Sequence, residues 1–286
     1  MLLLFILRLP SALAGSKSNN AVFGRRFRSI ICGRCLVVFE GEKNMIYITG
    51  DTHGYFQRYF EFTARMQPTP NDTMIVLGDA ALNYHGVERD ASRKYFVNSF
   101  PFTTFCIHGN HEMRPWDVPG MKTKAYRGGT VWYEEEYPKI LYAKDGEIFD
   151  FDGIKCLVIG GAYSVDKYYR LARGWNWFDN EQPSQEIKQY VEQQLDRVGR
   201  KVDVILSHTC PHKYEPIEVF LSGIDQTQVD SSTEEWLDTI EESVDYQKWY
   251  CGHFHTTKKT HRLQFMYEDI DVLSLSCNEK KEEEKQ

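Results

Sequence analysis

The chain has 286 residues, 42% of them hydrophobic and 14% aromatic, which suffices for the core of one large α/β domain. Its net charge is −7, and residues 1–44 carry seven Lys or Arg against two Glu, leaving −12 on the remainder. That balance argues against a large nucleic-acid footprint, because duplex binding rests on phosphate neutralisation by Lys and Arg. No period of 20–50 residues repeats, and seven cysteines, at 32, 35, 106, 156, 210, 251 and 277, show no framework spacing. A reduced, cytoplasmic compartment fits them.

In chain order, residues 1–10 form an apolar run too short to span a bilayer. Ala12-Leu13-Ala14-Gly15 has the small residues of a signal-peptidase site, but no Lys or Arg precedes the apolar core and Arg8 interrupts it. Cys32-Gly33-Arg34-Cys35 has zinc-knuckle spacing without a second Cys/His pair nearby and reads as coincidental. Met45 looks like the natural start: a first strand begins there directly, and Glu40-Gly41-Glu42-Lys43-Asn44 back-translates to purine-rich codons. The expectation is a leader or misplaced start at 1–44, secreted only if 1–14 act as a signal peptide. A domain at 45–277 and a charged, disordered tail at 278–286 follow.

Continuous apolar runs at 45–48, 74–77, 103–107, 202–206 and 246–250 predict buried strands. Helices are predicted at 54–66 and 88–99, giving a β-α-β-α-β start with a parallel sheet and right-handed crossovers. Residues 112–135 read as a long, irregular aromatic loop. A hairpin follows, 147–151 and 155–159, turning at Asp152-Gly153. A second aromatic loop spans 164–180, then helices are expected at 185–198 and 233–243. The runs 261–265 and 269–275 look like a closing antiparallel pair.

Each apolar run ends in a turn bearing ligand-type residues. These are Gly50-Asp51-Thr52-His53-Gly54, Gly78-Asp79, Gly109-Asn110-His111-Glu112, Ser207-His208 and Gly252-His253-Phe254-His255. The glycines allow tight turns and close backbone approach, and functional groups in α/β sheets collect at the carboxyl ends of strands. Two Asp, one Asn and five His would meet at one crevice. Imidazole with carboxylate suits Zn, Mn, Fe or Co. Eight groups exceed the needs of one ion and suit a pair about 3.5–4 Å apart sharing a carboxylate. His85, His108, His212 and His261 fall outside the pattern.

The blocks D-x-H, G-D, G-N-H-[DE], H and G-H-x-H, present in order over residues 50–255, resemble those of the calcineurin-like metallophosphoesterases. The resemblance implies a four-layer α/β/β/α sandwich with a dinuclear site at one edge of the paired sheets. It implies that Asp51, His53 and His255 hold one divalent ion and Asn110, His208 and His253 the other, with Asp79 bridging. Mn, Fe or Zn would serve, with Mn favoured. His111 would face the leaving group as a proton donor, an imidazole role at an unperturbed pKa near 6.5. Glu112 would orient a neighbouring group.

The family's protein phosphatases carry G-D-x-V-D-R-G at the second block, where this chain has Leu82 and Asn83 in place of the carboxylate and the arginine. Their L-R-G-N-H-E also loses its arginine, to His108. Metal binding survives these changes, while a phosphoprotein substrate is weakened. For an anion clamp, Arg114 is the first choice and Arg170 and Arg173 the second, since guanidinium matches phosphate oxygens. The expected function is hydrolysis of phosphate esters, phosphoprotein or small-molecule. A phosphodiesterase or nucleotide hydrolase, with a base stacked on Trp175 or Tyr169, is the alternative, and a non-catalytic scaffold a further one. No membrane partner is expected.

Overall fold

The computed structural model describes residues 44–275 and, as backbone, three short strands before them: β1 (Ile6–Arg8), β2 (Phe27–Cys32) and β3 (Cys35–Glu40). These pair antiparallel in the order β1-β3-β2. The tail expected at 278–286 lies outside the described residues.

From there strands and helices alternate: β4 (Ile46–Thr49), α1 (Gln57–Met66), β5 (Thr73–Val76), α2 (Val87–Asn98) and β6 (Thr103–Cys106). Next come β7 (Lys122–Tyr126), β8 (Gly129–Tyr133), β9 (Ile140–Ala143), β10 (Ile148–Phe151) and β11 (Ile154–Ile159). The chain continues through α3 (Lys167–Ala172), α4 (Gln185–Arg197), β12 (Val204–Ser207), α5 (Ser232–Ser243) and β13 (Lys248–Cys251). It closes with β14 (Lys258–Thr260), β15 (Leu263–Phe265) and β16 (Ile270–Val272).

Two mixed sheets result. The seven-stranded sheet runs β16-β4-β5-β6-β9-β8-β7 and the six-stranded sheet β10-β11-β12-β13-β15-β14. The centre of each is parallel, β4-β5-β6-β9 and β11-β12-β13-β15, with antiparallel strands at the edges.

The strict apolar runs follow from burial on both faces. In β4, Ile46 and Ile48 enter the core between the sheets, while Tyr47 enters the core beneath α1 and α2. In β12, Val204 and Leu206 face the first sheet while Ile205 joins the core under α4 and α5. Three apolar layers thus separate four structural ones, α/β/β/α. Helix α1 contributes Tyr59 and Phe62 to its layer; burying one such aromatic stabilises by about 1.5–3 kcal/mol. The hairpin turn is built as expected, with Asp152 and Gly153 both at positive φ, 55° and 91°.

Three expectations change. The aromatic stretch 112–135 is not irregular throughout: β7 and β8 form a hairpin turning at Arg127-Gly128, both at positive φ. Its alternation is masked by lysines on an exposed edge strand. Strand β9 leaves no mark in the sequence because four residues between loops carry no period. The runs 261–265 and 269–275 do not pair with each other: β15 lies beside β13 in one sheet and β16 beside β4 in the other. Both are three-residue strands, whose partners no local pattern encodes. The second aromatic loop carries the short helix α3. No helix among the described residues is long and apolar enough to cross a membrane.

Candidate metal centre

The glycines at the strand ends are required by contact. A Cβ on Gly78 would lie 2.1 Å from Nδ1 of His208, and one on Gly109 would lie 2.0 Å from Oδ1 of Asp79. Ligand-type residues also carry unusual backbone: His53, Asp79, His253 and His255 have φ between 45° and 67°. Non-glycine residues in that region cost about 1–3 kcal/mol each and cluster where function over-determines them.

All seven residues named as ligands converge. His53 Nε2 is 2.8 Å from His255 Nε2, and Oδ2 of Asp51 lies 3.7 Å from the former and 3.3 Å from the latter. On the neighbouring side Asn110 Oδ1 is 2.7 Å from His208 Nε2 and 3.1 Å from His253 Nδ1. Asp79 Oδ2 is 3.8 Å from both His53 Nε2 and His208 Nε2, between the two sets. Its Oδ1 accepts from the backbone N–H of His111 at 2.8 Å. Among the described residues two groups have ligand atoms close enough to share an ion: Asp51, His53 and His255, and Asp51, Asp79 and His208.

The residues fit a cation. Asp51 is 1% exposed, yet no hydrogen bond of normal geometry reaches its Oδ2. A buried carboxylate oxygen without a donor wants a cation. Burial pushes its carboxyl up, but the imidazoles of His255, His208 and His53 outweigh it and hold it well below the usual range. For Asp79, burial is likewise outweighed, by His111 and His208, and its pKa falls. Burial, with the charge of His208 adding, takes His253 down to about 3, so its ring is neutral and free to ligate.

A chain of donors fixes the Asn110 amide. Its Nδ2 donates to Ser164 Oγ at 2.8 Å, and that hydroxyl donates to Glu181 Oε2 at 2.5 Å. Oδ1 is thereby turned toward His208 and His253. His208 Nδ1 meets the Leu77 carbonyl at 2.7 Å, which makes Nδ1 the protonated nitrogen and leaves Nε2 inward. Sequence reasoning does not find Ser164, Glu181 or Leu77. The backbone carbonyl leaves no signal, and the other two stand in a loop with no motif around them.

His111 is 16% exposed by side chain; its Nε2 lies 3.2 Å from Arg170 Nη2, 3.2 Å from Asn110 Nδ2 and 3.9 Å from Asp166 Oδ1. Burial lowers its pKa and Arg170 adds to that, against Asp79. Arg170 also donates to Asp166 Oδ2 at 2.8 Å and to the Tyr84 hydroxyl at 3.1 Å. Asp166 is another residue the sequence does not single out. Leu82 is core and Asn83 is buried, and Asp166 joins Asp79 as an acid close to His111. Glu112 accepts from the Gly109 N–H at 2.9 Å, and burial with the charge of Asp79 pushes it up to about 8. Outside the pattern, His212 pairs with Glu215 at 3.2 Å.

The first-choice anion clamp is corrected. Arg114 is 1% exposed, its guanidinium bonded to Asp145 and to the carbonyls of Asn180 and Glu181. Sequence proximity to His111 suggests a clamp, but its donors are engaged inside the fold. Arg114→Ala would leave Asp145 buried without its cation and is expected to cost about 3–5 kcal/mol. Urea denaturation checks this; unchanged stability with a raised KM would restore the clamp. Arg173 is exposed, its guanidinium 4.4 Å from the Tyr169 ring, and it lines none of the three cavities at the centre. Arg170 alone of the three lies at the cluster.

The calcineurin-like phosphoesterase family model matches residues 45–257. No curated protein matches the chain. Among solved structures, TT1561 of Thermus thermophilus is similar with a TM-score of 0.46 at 11% identity, over 82% of this chain and 99% of that one. A protein serine/threonine phosphatase from Saccharomyces cerevisiae, with similarity to human phosphatase PP5, gives 0.29 at 14% identity, over 79% and 67%. The chain belongs to the calcineurin-like phosphoesterase family.

Proposed function

We propose that the chain hydrolyses phosphate esters with two divalent ions, Mn favoured, held by Asp51, His53 and His255 on one side and Asn110, His208 and His253 on the other, with Asp79 shared. The observation that carries this is the meeting of two adjoining sets of ligand-type residues at Asp79, one of them holding a buried Asp51 oxygen that no hydrogen bond of normal geometry reaches. When bound, such a pair would neutralise phosphoryl charge and lower the pKa of water toward neutrality.

The chain's own residues supply the rest. Arg170 is the clamp: an anionic phosphoryl oxygen is a better acceptor for its Nη2 than the neutral His111 nitrogen it now faces. Moving Arg170 onto phosphate takes the charged one of the two N–H donors away from Nε2 of His111, with Asp166 3.9 Å away to favour a protonated ring. The new P–O bond forms to the oxygen of a water that gives up one proton to solvent, while the P–O bond to the ester oxygen breaks and that oxygen takes the proton from His111. The Asn110–Ser164–Glu181 chain keeps the amide oxygen inward throughout. A cytoplasmic setting suits the four buried free cysteines, Cys106, Cys156, Cys210 and Cys251.

With added Mn²⁺ the protein is expected to hydrolyse p-nitrophenyl phosphate faster than its bis ester, and to lose both activities on chelation. A faster bis ester would favour the phosphodiesterase alternative, no turnover the scaffold, and full activity after thorough chelation would overturn the metal reading.

A further inference from the structure

Residues 266–269 carry the chain from β15 in one sheet to β16 in the other. They pass against the end of β4, where the first ligand-type residues stand. A Cβ on Gly50 would lie 2.1 Å from the Met266 carbonyl oxygen, so only glycine admits so close an approach. The Tyr267 carbonyl accepts from the Gly50 N–H at 3.1 Å and from Arg58 Nη1 at 2.6 Å. Arg58, on α1, also donates from Nη2 to the Asp51 carbonyl at 2.9 Å. One guanidinium thus ties the backbone of Tyr267 to that of Asp51.

The Tyr267 ring lies on the imidazole of His255, centroids 4.7 Å apart and planes 16° apart. Imidazoles that hold a metal usually donate their other N–H to an acceptor, which sets the orientation of the ring. For His208 the Leu77 carbonyl does this. Nδ1 of His255 has no hydrogen-bond partner among the described residues, and its side chain is 46% exposed.

We propose that Tyr267 is a positioning residue: its ring fixes the plane of His255 and so strengthens binding of the ion assigned above to Asp51, His53 and His255. The proposal rests on the two-ion reading and adds a residue to it. Stacking stops the ring from tilting, while the contacts of Nε2 with Asp51 Oδ2 at 3.3 Å and His53 Nε2 at 2.8 Å direct it within its plane. Without the stack, a half-exposed imidazole would have to be ordered at the moment of binding, at a cost in affinity. Among the described residues Tyr267 makes no ring or hydrogen-bond contact with Asn110, His208 or His253, so its effect falls on one of the two sites.

Calorimetric titration of the metal-stripped full chain with Mn²⁺ tests this without recourse to activity. The wild-type protein is expected to bind two ions. In Tyr267→Leu, which keeps bulk but no flat face, one of them should bind about tenfold more weakly, the lower end of the range for partners that orient a metal-bound histidine. The other should bind as before. Tyr267→Phe, which keeps the ring, should retain both affinities, and circular dichroism verifies the fold of each metal-free variant. Wild-type affinities in Tyr267→Leu, equal weakening of both sites, or an equal loss in Tyr267→Phe overturns the inference while leaving the metal reading intact. A folded wild-type protein that binds no Mn²⁺ overturns both.

Discussion

Asp79→Asn is expected to lower kcat/KM for p-nitrophenyl phosphate by about a thousandfold or more, with loss of bound metal and no loss of fold. Removing a single preorganised electrostatic group from a buried site typically costs about a hundred- to a thousandfold, and Asp79 faces both sets of candidate ligands. Its Oδ2 sits 3.8 Å from His53 and from His208, and its Oδ1 holds the backbone N–H of His111. Asparagine keeps the size and one carbonyl oxygen but removes the charge, leaving the facing imidazoles uncompensated. Metal content by atomic absorption and circular dichroism separate the causes. A folded variant that keeps two ions and more than a tenth of the activity would remove Asp79 from the shared position.

His111→Asn should act differently. General acid catalysis is worth about 10²–10⁴-fold, so hydrolysis of alkyl phosphates should fall by that amount with metal content unchanged. The loss should be much smaller for p-nitrophenyl phosphate, whose leaving oxygen departs readily as the anion. An equal loss for both esters would make His111 a positioning residue. Its neighbours make the distinction worthwhile: Nε2 faces two N–H donors as the structure stands, and only a ring released from Arg170 can carry the proton there.

The residues that converge are legible in the sequence because each stands at or just after the end of a buried strand, Asp51, Asp79, Asn110 and His253 beside a glycine, and strand ends register in the residue order itself. Asp51, Asp79 and Asn110 follow β4, β5 and β6; His208 and His253 follow β12 and β13. The layering is also legible, since a run such as Met74-Ile75-Val76-Leu77, apolar at successive positions, means two buried faces. What supports the donors is not. Ser164, Asp166 and Glu181 lie in a loop whose path depends on tertiary contacts, and nothing local distinguishes them from surface residues. Arg114 shows the opposite error: adjacency to His111 implies a shared site, but the guanidinium turns inward to Asp145. The edge strands fail for a third reason, being too short to carry a period while their partners are set by distant chain.

The centre lies on the seam between the two sheets. Asp51, Asp79 and Asn110 arrive from one and His208, His253 and His255 from the other, so neither half presents a complete set. A cation held by the full set as proposed would need both halves docked, and it would then rivet together segments that are far apart along the polypeptide.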